Sequence, residues 1–426
     1  MNVVKRDGRV SVFNKQKIID AILKAFEDVD HEITDAAYNK ANEIANAIEQ
    51  SSKDCAVEDI QDIIERRLMA SNRKDVARAF IIYRNDRTRV RESKSELMKA
   101  VGEKLNASNV QNQNANVDEY SFGGRMGEAR DTVAKEYALY NCMSKMARDN
   151  HLNNEIYIHD LNSYAVGMSN CLSVPFDDLL AKGFKVRQTD IRPARSINTA
   201  FQLVAVIFQL QSLNQFGGVS ATHLDWTMVP YVRISFYKHF KDGLIYIAQW
   251  PESAGEGFEL QCEEDHPSIG DKEYFIKVGI PSSVYQYALD MTEKETYQAV
   301  EAMYHNLNSL QSRSGDQLPF TSINYGTCTL PEGRLVIKAI LDVSIKGIGA
   351  LHRTPIFPCG IFQYMKGVND KPGTPNYDLY RLALQSTALR LYPNYANVDW
   401  SGNAGYDRND PKTYFSTMGE RKLWPM

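Results

Sequence analysis

Two groups of residues in this 426-residue chain have types and spacings suited to chemistry. The first surrounds Cys171, which directly follows Asn170 and lies twelve residues beyond His159-Asp160 in IYIHDLNSYAVGMSNCLSVPF. A reactive thiol needs neighbours that manage its proton, and His, Asp and Asn are such neighbours. The alternative is inert packing, the commoner fate of a single cysteine on an apolar segment. The second group is VVKRDGRVSVFNKQKI, which sets Lys5, Arg6 and Lys17 where a hairpin meets a helix N-terminus. Free backbone N–H groups and the helix dipole add there to side-chain charge, a combination that attracts phosphate. On charge alone the same residues also read as a basic surface hairpin.

The elements that position these groups follow from pattern. Asp7-Gly8 supplies a primed turn between Val3-Val4 and the alternating Val10–Phe13, and Asn14 caps a helix with an Ile18, Ile22, Phe26 stripe. Further helices are expected over about 35–50 and 57–69, and a fourth from near Arg73. That makes a small, complete domain. The mixed-charge run from Arg84 to Lys104 reads as a solvated helix leading into a linker, and the amide-rich 106–116 as a loop. Beyond residue 120, helices (Val133–Arg148, Arg195–Leu213, Leu335–Lys346) alternate with buried strands (Pro319–Thr329, Thr354–Met365). Alternation of that kind indicates an α/β domain with a covered sheet.

Composition excludes several classes. Basic and acidic residues nearly balance, 49 against 53, for a net charge of −4. Bulk-charge binding of nucleic acid and a polybasic membrane anchor are therefore not expected. Mean hydropathy is −0.41, with no apolar run of membrane-spanning length. Six cysteines without a CxxC pair point to a reduced, cytoplasmic protein rather than a disulfide scaffold. Cys262-x-x-x-His266 lacks two further close ligands, so no metal site is assigned. His223, His266 and His352 read as structural, and Cys142 as packing.

KRDG, Phe13 and Asn14-x-x-Lys17-Ile18 together resemble the ATP-cone, the regulatory nucleotide-binding module ahead of many ribonucleotide reductases, and the likeness extends through Tyr83-Arg84. The resemblance implies that Lys5, Arg6 and Lys17 meet the phosphates of ATP or dATP as allosteric effectors. Val3, Asn14 and Gln61 would line the rest of the pocket. The remainder resembles the anaerobic (class III) ribonucleoside-triphosphate reductases: the HD motif and Asn170-Cys171, NQNAN at 112–116, Arg192–Ser196 followed by Phe216-Gly217-Gly218, QLPFTSINYGT, TPIFP, and PNYDLYRLALQSTALRLYP at 375–393.

That likeness implies an oxidoreductase reducing ribonucleoside triphosphates by thiyl and glycyl radical chemistry inside a ten-stranded α/β barrel. It makes Cys171 the catalytic cysteine of the first barrel strand, with Asn170 and His159 at the substrate. Arg195 and Lys238 would hold a specificity effector's phosphates. A homodimer packed through Arg195–Leu213 and a radical-SAM activase are the partners expected. The implied boundaries are an ATP-cone over 1–92, a linker and loop over 93–119, an incomplete barrel over 120–419 and a non-family tail over 420–426.

The family's radical-cysteine motif, Met-Gly-Cys-Arg, reads Met418-Gly419-Glu420-Arg421 here. A glutamate forms no thiyl radical. The glycyl-radical segment and the four-cysteine zinc site of the family are also absent from the sequence, so the chain alone is expected to be inactive. The alternatives are a non-catalytic ATP/dATP-binding regulatory protein and a fragment complemented by a separate C-terminal half. Tyr157 and Val206 stand where the family often has a histidine and a glutamine.

Overall fold

The computed structural model describes residues 2–5, 9–50, 55–105, 122–167, 171–186, 189–215, 217–253, 267–311, 317–400, 405–414 and 416–417. The chain divides into two compact units, 1–102 and 103–426. The amide-rich loop, Cys262 and His266 lie outside the described residues.

In the first unit β1 (Asn2–Val4) pairs antiparallel with β2 (Val10–Val12) and parallel with β3 (Cys55–Ala56). The third strand was not legible in the sequence. Helices α1 (Lys15–Asp30), α2 (Asp35–Glu49), α3 (Val57–Met69) and α4 (Lys74–Leu105) follow. Asn14 caps α1 as expected, its side chain accepting from the Lys17 N–H at 3.3 Å. The stripe of Ile18, Ile22 and Phe26 meets Ile44, Ile48, Ile60, Ile64, Leu68 and Phe80 in one core. Helix α4 continues through Leu105, in keeping with the mixed-charge run from Arg84 to Lys104 read as a solvated helix, because its charged residues favour helix and no proline stops it.

The second unit contains α5 (Phe122–Tyr137), α6 (Lys145–Leu152), β4 (Leu172–Ser173), α7 (Phe176–Lys182), and the antiparallel pair β5 (Phe184–Val186) and β6 (Thr189–Ile191). It continues with α8 (Ile197–Ser212), β7 (Val219–Ala221), α9 (Leu224–Thr227), α10 (Val229–Tyr246), α11 (Lys272–Lys277) and α12 (Ser282–Ser309). Last come β8 (Thr321–Tyr325), α13 (Pro331–Lys346), β9 (Cys359–Tyr364), α14 (Tyr377–Arg390) and β10 (Asn394–Asn397).

Among the described residues the main sheet is five-stranded and wholly parallel, in the order β10-β9-β8-β7-β4. The helix expected over Val133–Arg148 instead begins at Phe122 and loosens into a wide turn at Ala138–Cys142. Extended backbone at Met143 ends it, and Ser144 starts a new helix by accepting from the Ala147 N–H at 3.2 Å. Cys142, read as packing, is exposed at this break.

Helix α8 was expected to bury its apolar side against a symmetry mate. Its residues Ile197, Phe201, Val204 and Phe208 are instead buried within the chain, in the core shared with α10 and α12.

Candidate functional site

In the first unit a cavity of about 320 Å³ is lined by Val3, Lys5, Asn14, Lys17 and Gln61, five of the six residues assigned to nucleotide from sequence. Arg6 lies outside the described residues. Phe13, Ile18, Ile60 and Phe80 supply apolar wall, while the two lysines and the first turn of α1 supply positive potential. An apolar floor with cations at one side suits a base and sugar carrying phosphates. The pieces converge because β1 runs between β2 and β3, so the strand bearing Val3 and the helix start at Asn14 face α3 and its Gln61.

The parallel sheet of the second unit has two unlike faces. Val219, Ala221, Ile323, Tyr325 and Phe362 point into the helix-packed core. Strand alternation turns Ser220, Ser322, Asn324 and Gln363 the other way. Register sets Ser173 beside Ser220 and Ser220 beside Ser322, a row of small polar side chains across three strands. The Asn324 amide donates to Ser220 Oγ at 3.2 Å, consistent with a shared face.

Cys171 lies two residues before Ser173 at the start of this polar face. It is half-buried, and its Sγ accepts the Gly218 N–H at 3.3 Å. The inert-packing alternative fits Cys328 much better. That thiol is fully buried in the core, and burial pushes its pKa up.

The other assigned residues fall in three places. His159 is mostly exposed, paired through Nδ1 with Asp160 at 2.6 Å and edge-on to Tyr157, so its partners are local. Asn170 lies outside the described residues. Arg195 is exposed just before Ser196, the cap of α8, and Lys238 is exposed on α10. The Ile197 N–H donates to Ser235 Oγ at 3.0 Å, which brings the start of α8 to within one helical turn of Lys238.

Sequence reasoning missed the buried polar groups that hold this sheet. Asp225 is fully buried, and its Oδ2 accepts from the N–H groups of Gly326, Thr327 and Cys328 at 2.9, 3.1 and 2.9 Å. Burial, the largest influence, raises its pKa against the lowering effect of those bonds. Gly326, at φ 129°, makes the turn after β8 possible, and the Asn369 and Asn376 amides each donate to its carbonyl at 3.1 Å. Asn324 exchanges two bonds with Thr417, donating to its carbonyl at 3.1 Å and accepting its N–H at 3.3 Å. The segment leading to Met418 is therefore seated on the polar face. Residues 418–426 lie outside the described residues. The available sequence signal was the alternation in VSA and TSINY, where Ser220, Ser322 and Asn324 recur at the period of a strand with one polar face.

His223 and His352, read as structural, are both partnered: His223 Nε2 meets Asp177 at 2.8 Å across 46 residues, and His352 Nδ1 meets the Lys346 carbonyl at 3.0 Å. Among the described residues no group of three His, Cys, Asp or Glu is placed to hold a metal ion, and no helix is long and apolar enough to cross a membrane.

Comparison with known proteins follows the same division of the chain. The ATP cone domain profile matches residues 1–89, and the profile for anaerobic ribonucleoside-triphosphate reductase matches 113–423. The anaerobic ribonucleoside-triphosphate reductase of Haemophilus influenzae is 34% identical over 404 residues, covering 93% of this chain and 52% of that protein. Its Escherichia coli counterpart is 30% identical over 402 residues, with 93% and 51% coverage. A crystal structure of the Thermotoga maritima anaerobic ribonucleotide reductase, in complex with dATP and CTP, aligns at a TM-score of 0.42 and 14% identity over 73% of this chain and 50% of that one. The chain spans about half the length of the curated relatives it matches. With one profile covering most of the second unit and the other nearly all of the first, the chain belongs to the anaerobic ribonucleoside-triphosphate reductase family and begins with an ATP-cone domain.

Proposed function

We propose that the chain is the effector-binding and first active-site portion of an anaerobic ribonucleoside-triphosphate reductase. Its first unit binds ATP or dATP, and its second presents Cys171 to a ribonucleoside triphosphate. The observation that carries the reading is the convergence of Val3, Lys5, Asn14, Lys17 and Gln61 on one cavity. The second unit supports it through the half-buried Cys171 thiol, which starts a polar sheet face instead of filling the core.

In this reading Cys171 serves the reduction of the ribose, with Asn170 and His159 at the substrate. Arg195 and Lys238 meet the phosphates of a specificity effector. A homodimer, a radical-SAM activase and a cytoplasmic location complete the proposal. The family's glycyl radical would supply the oxidising equivalent for the reaction. The described residues offer its zinc ion no donor set.

Calorimetric titration of the chain with ATP and with dATP tests the proposal. Lys5→Ala and Lys17→Ala should each weaken binding by about 1.5–3 kcal/mol, the worth of a charge-assisted bond to phosphate. Wild-type affinity in the double variant overturns the pocket.

A further inference from the structure

We infer that Gln215 is a positioning residue for the Cys171 thiol, acting through the Gly217-Gly218 turn; the functional weight of this inference rests on the reading of Cys171 proposed above. The geometry is a chain of donors. The Gln211 side chain, on the last turn of α8, donates to Gln215 Oε1 at 2.9 Å. Gln215 Nε2 donates to the Gly217 carbonyl at 3.2 Å and to the Gly218 carbonyl at 2.8 Å. The Gly218 N–H then donates to Cys171 Sγ at 3.3 Å.

Gln215 is only 4% exposed, so its carboxamide is committed to these partners and not to water. Two carbonyls held by one amide leave the turn little freedom to rotate its N–H away from the sulfur. The Leu172 N–H also bonds the Gly218 carbonyl, at 3.1 Å, so the strand start and the turn are tied from both sides. A backbone N–H aimed at sulfur fixes the direction in which the sulfur reacts. Gln211 orients the carboxamide, since only its oxygen can accept that donor and only its nitrogen can then face the turn.

The test is alkylation of the intact chain by iodoacetamide, followed cysteine by cysteine by peptide mass spectrometry. Cys328, fully buried, reports opening of the fold. Gln215→Met keeps the shape and removes the donors. It should slow alkylation of Cys171 about tenfold, the worth of the one hydrogen bond by which the Gly218 N–H orients the sulfur, with Cys328 still protected. Gly218→Pro removes the final N–H and should slow it equally, and the double variant should be no slower than either single one. Gly218→Ala keeps the N–H and has room, its Cβ meeting nothing nearer than the Phe320 carbonyl at 3.8 Å, so it should react at the parental rate.

Where Gln215→Met exposes Cys328, Gln211→Met, which removes only the orienting donor, decides the matter by the same criterion. A parental Cys171 rate in a folded variant lacking either glutamine overturns the inference, as does full additivity with Gly218→Pro. A separate arm adds a ribonucleoside triphosphate. Failure to protect Cys171 overturns the substrate reading and leaves the positioning result standing.

Discussion

Replacing Asp225 by alanine should destabilise the second unit severely. One carboxylate oxygen accepts three backbone N–H groups at 2.9–3.1 Å, in a site with no solvent exposure. Alanine leaves those donors buried without a partner, and each such orphan costs about 1–3 kcal/mol. Part of the loss is offset, because burial already penalises the charged carboxyl and its removal relieves that penalty. A net loss of about 3–5 kcal/mol is expected for Asp225→Ala. Asp225→Asn should lose about 1–2 kcal/mol, since an amide oxygen still accepts but its NH₂ falls where Oδ1 has no partner.

The sign with pH is also determined. A carboxyl whose folded pKa is raised contributes stability that is complete below its unfolded value, near 4, and is lost as pH rises through the folded value. The asparagine variant lacks that dependence. Urea unfolding followed by tryptophan fluorescence suits the question, because all four tryptophans (Trp226, Trp250, Trp400, Trp424) belong to the second unit. An Asp225→Ala unfolding free energy within about 1 kcal/mol of the parent, at unchanged slope, would refute the reasoning.

Other outcomes follow from single contacts. Gly333→Ala would drive a Cβ into Cys328 Sγ and set it 2.6 Å from the Cys328 Cβ, so a loss of about 2–3 kcal/mol is expected in the same urea assay. Burial pushes the Asp177 carboxyl up, but His223, Thr227 and Lys412 outweigh it and hold it below its ordinary value, while His239 does the same for Glu295. Carboxyls held low stabilise above about pH 4 and stop doing so as pH falls through their folded values. Fluorescence-monitored acid unfolding should therefore be less steep in His223→Leu, and an unchanged slope would count against the pairing.

How much was legible depended on whether the signal was local. Asn14 announced the start of α1 because an N-cap acts on an amide three residues away, and the Ile18–Phe26 stripe announced which side is buried. The strands at Thr321–Tyr325 and Cys359–Tyr364 fall within Pro319–Thr329 and Thr354–Met365, which read as buried strands from their β-branched and aromatic residues. The break after Cys142 did not stand out, since the apolar spacing of a helix continues across it and only the Ser144 cap marks the new start. The strand at Cys55–Ala56 was missed because two residues carry no period.

The sequence by itself determined the composition class, the four helices of the first unit together with α8 and α13, the basic group at the hairpin and the cysteine worth following. Each of these is a property of residues close together in the chain. Tertiary structure alone decided that α8 spends its apolar surface on α10 and α12, and that Ser173, Ser220 and Ser322 form one row. It also decided that Asn324 receives Thr417 across 93 residues, and that the Gly218 N–H points at Cys171 across 47. A parallel sheet sets such partners side by side through crossovers whose register no local pattern encodes.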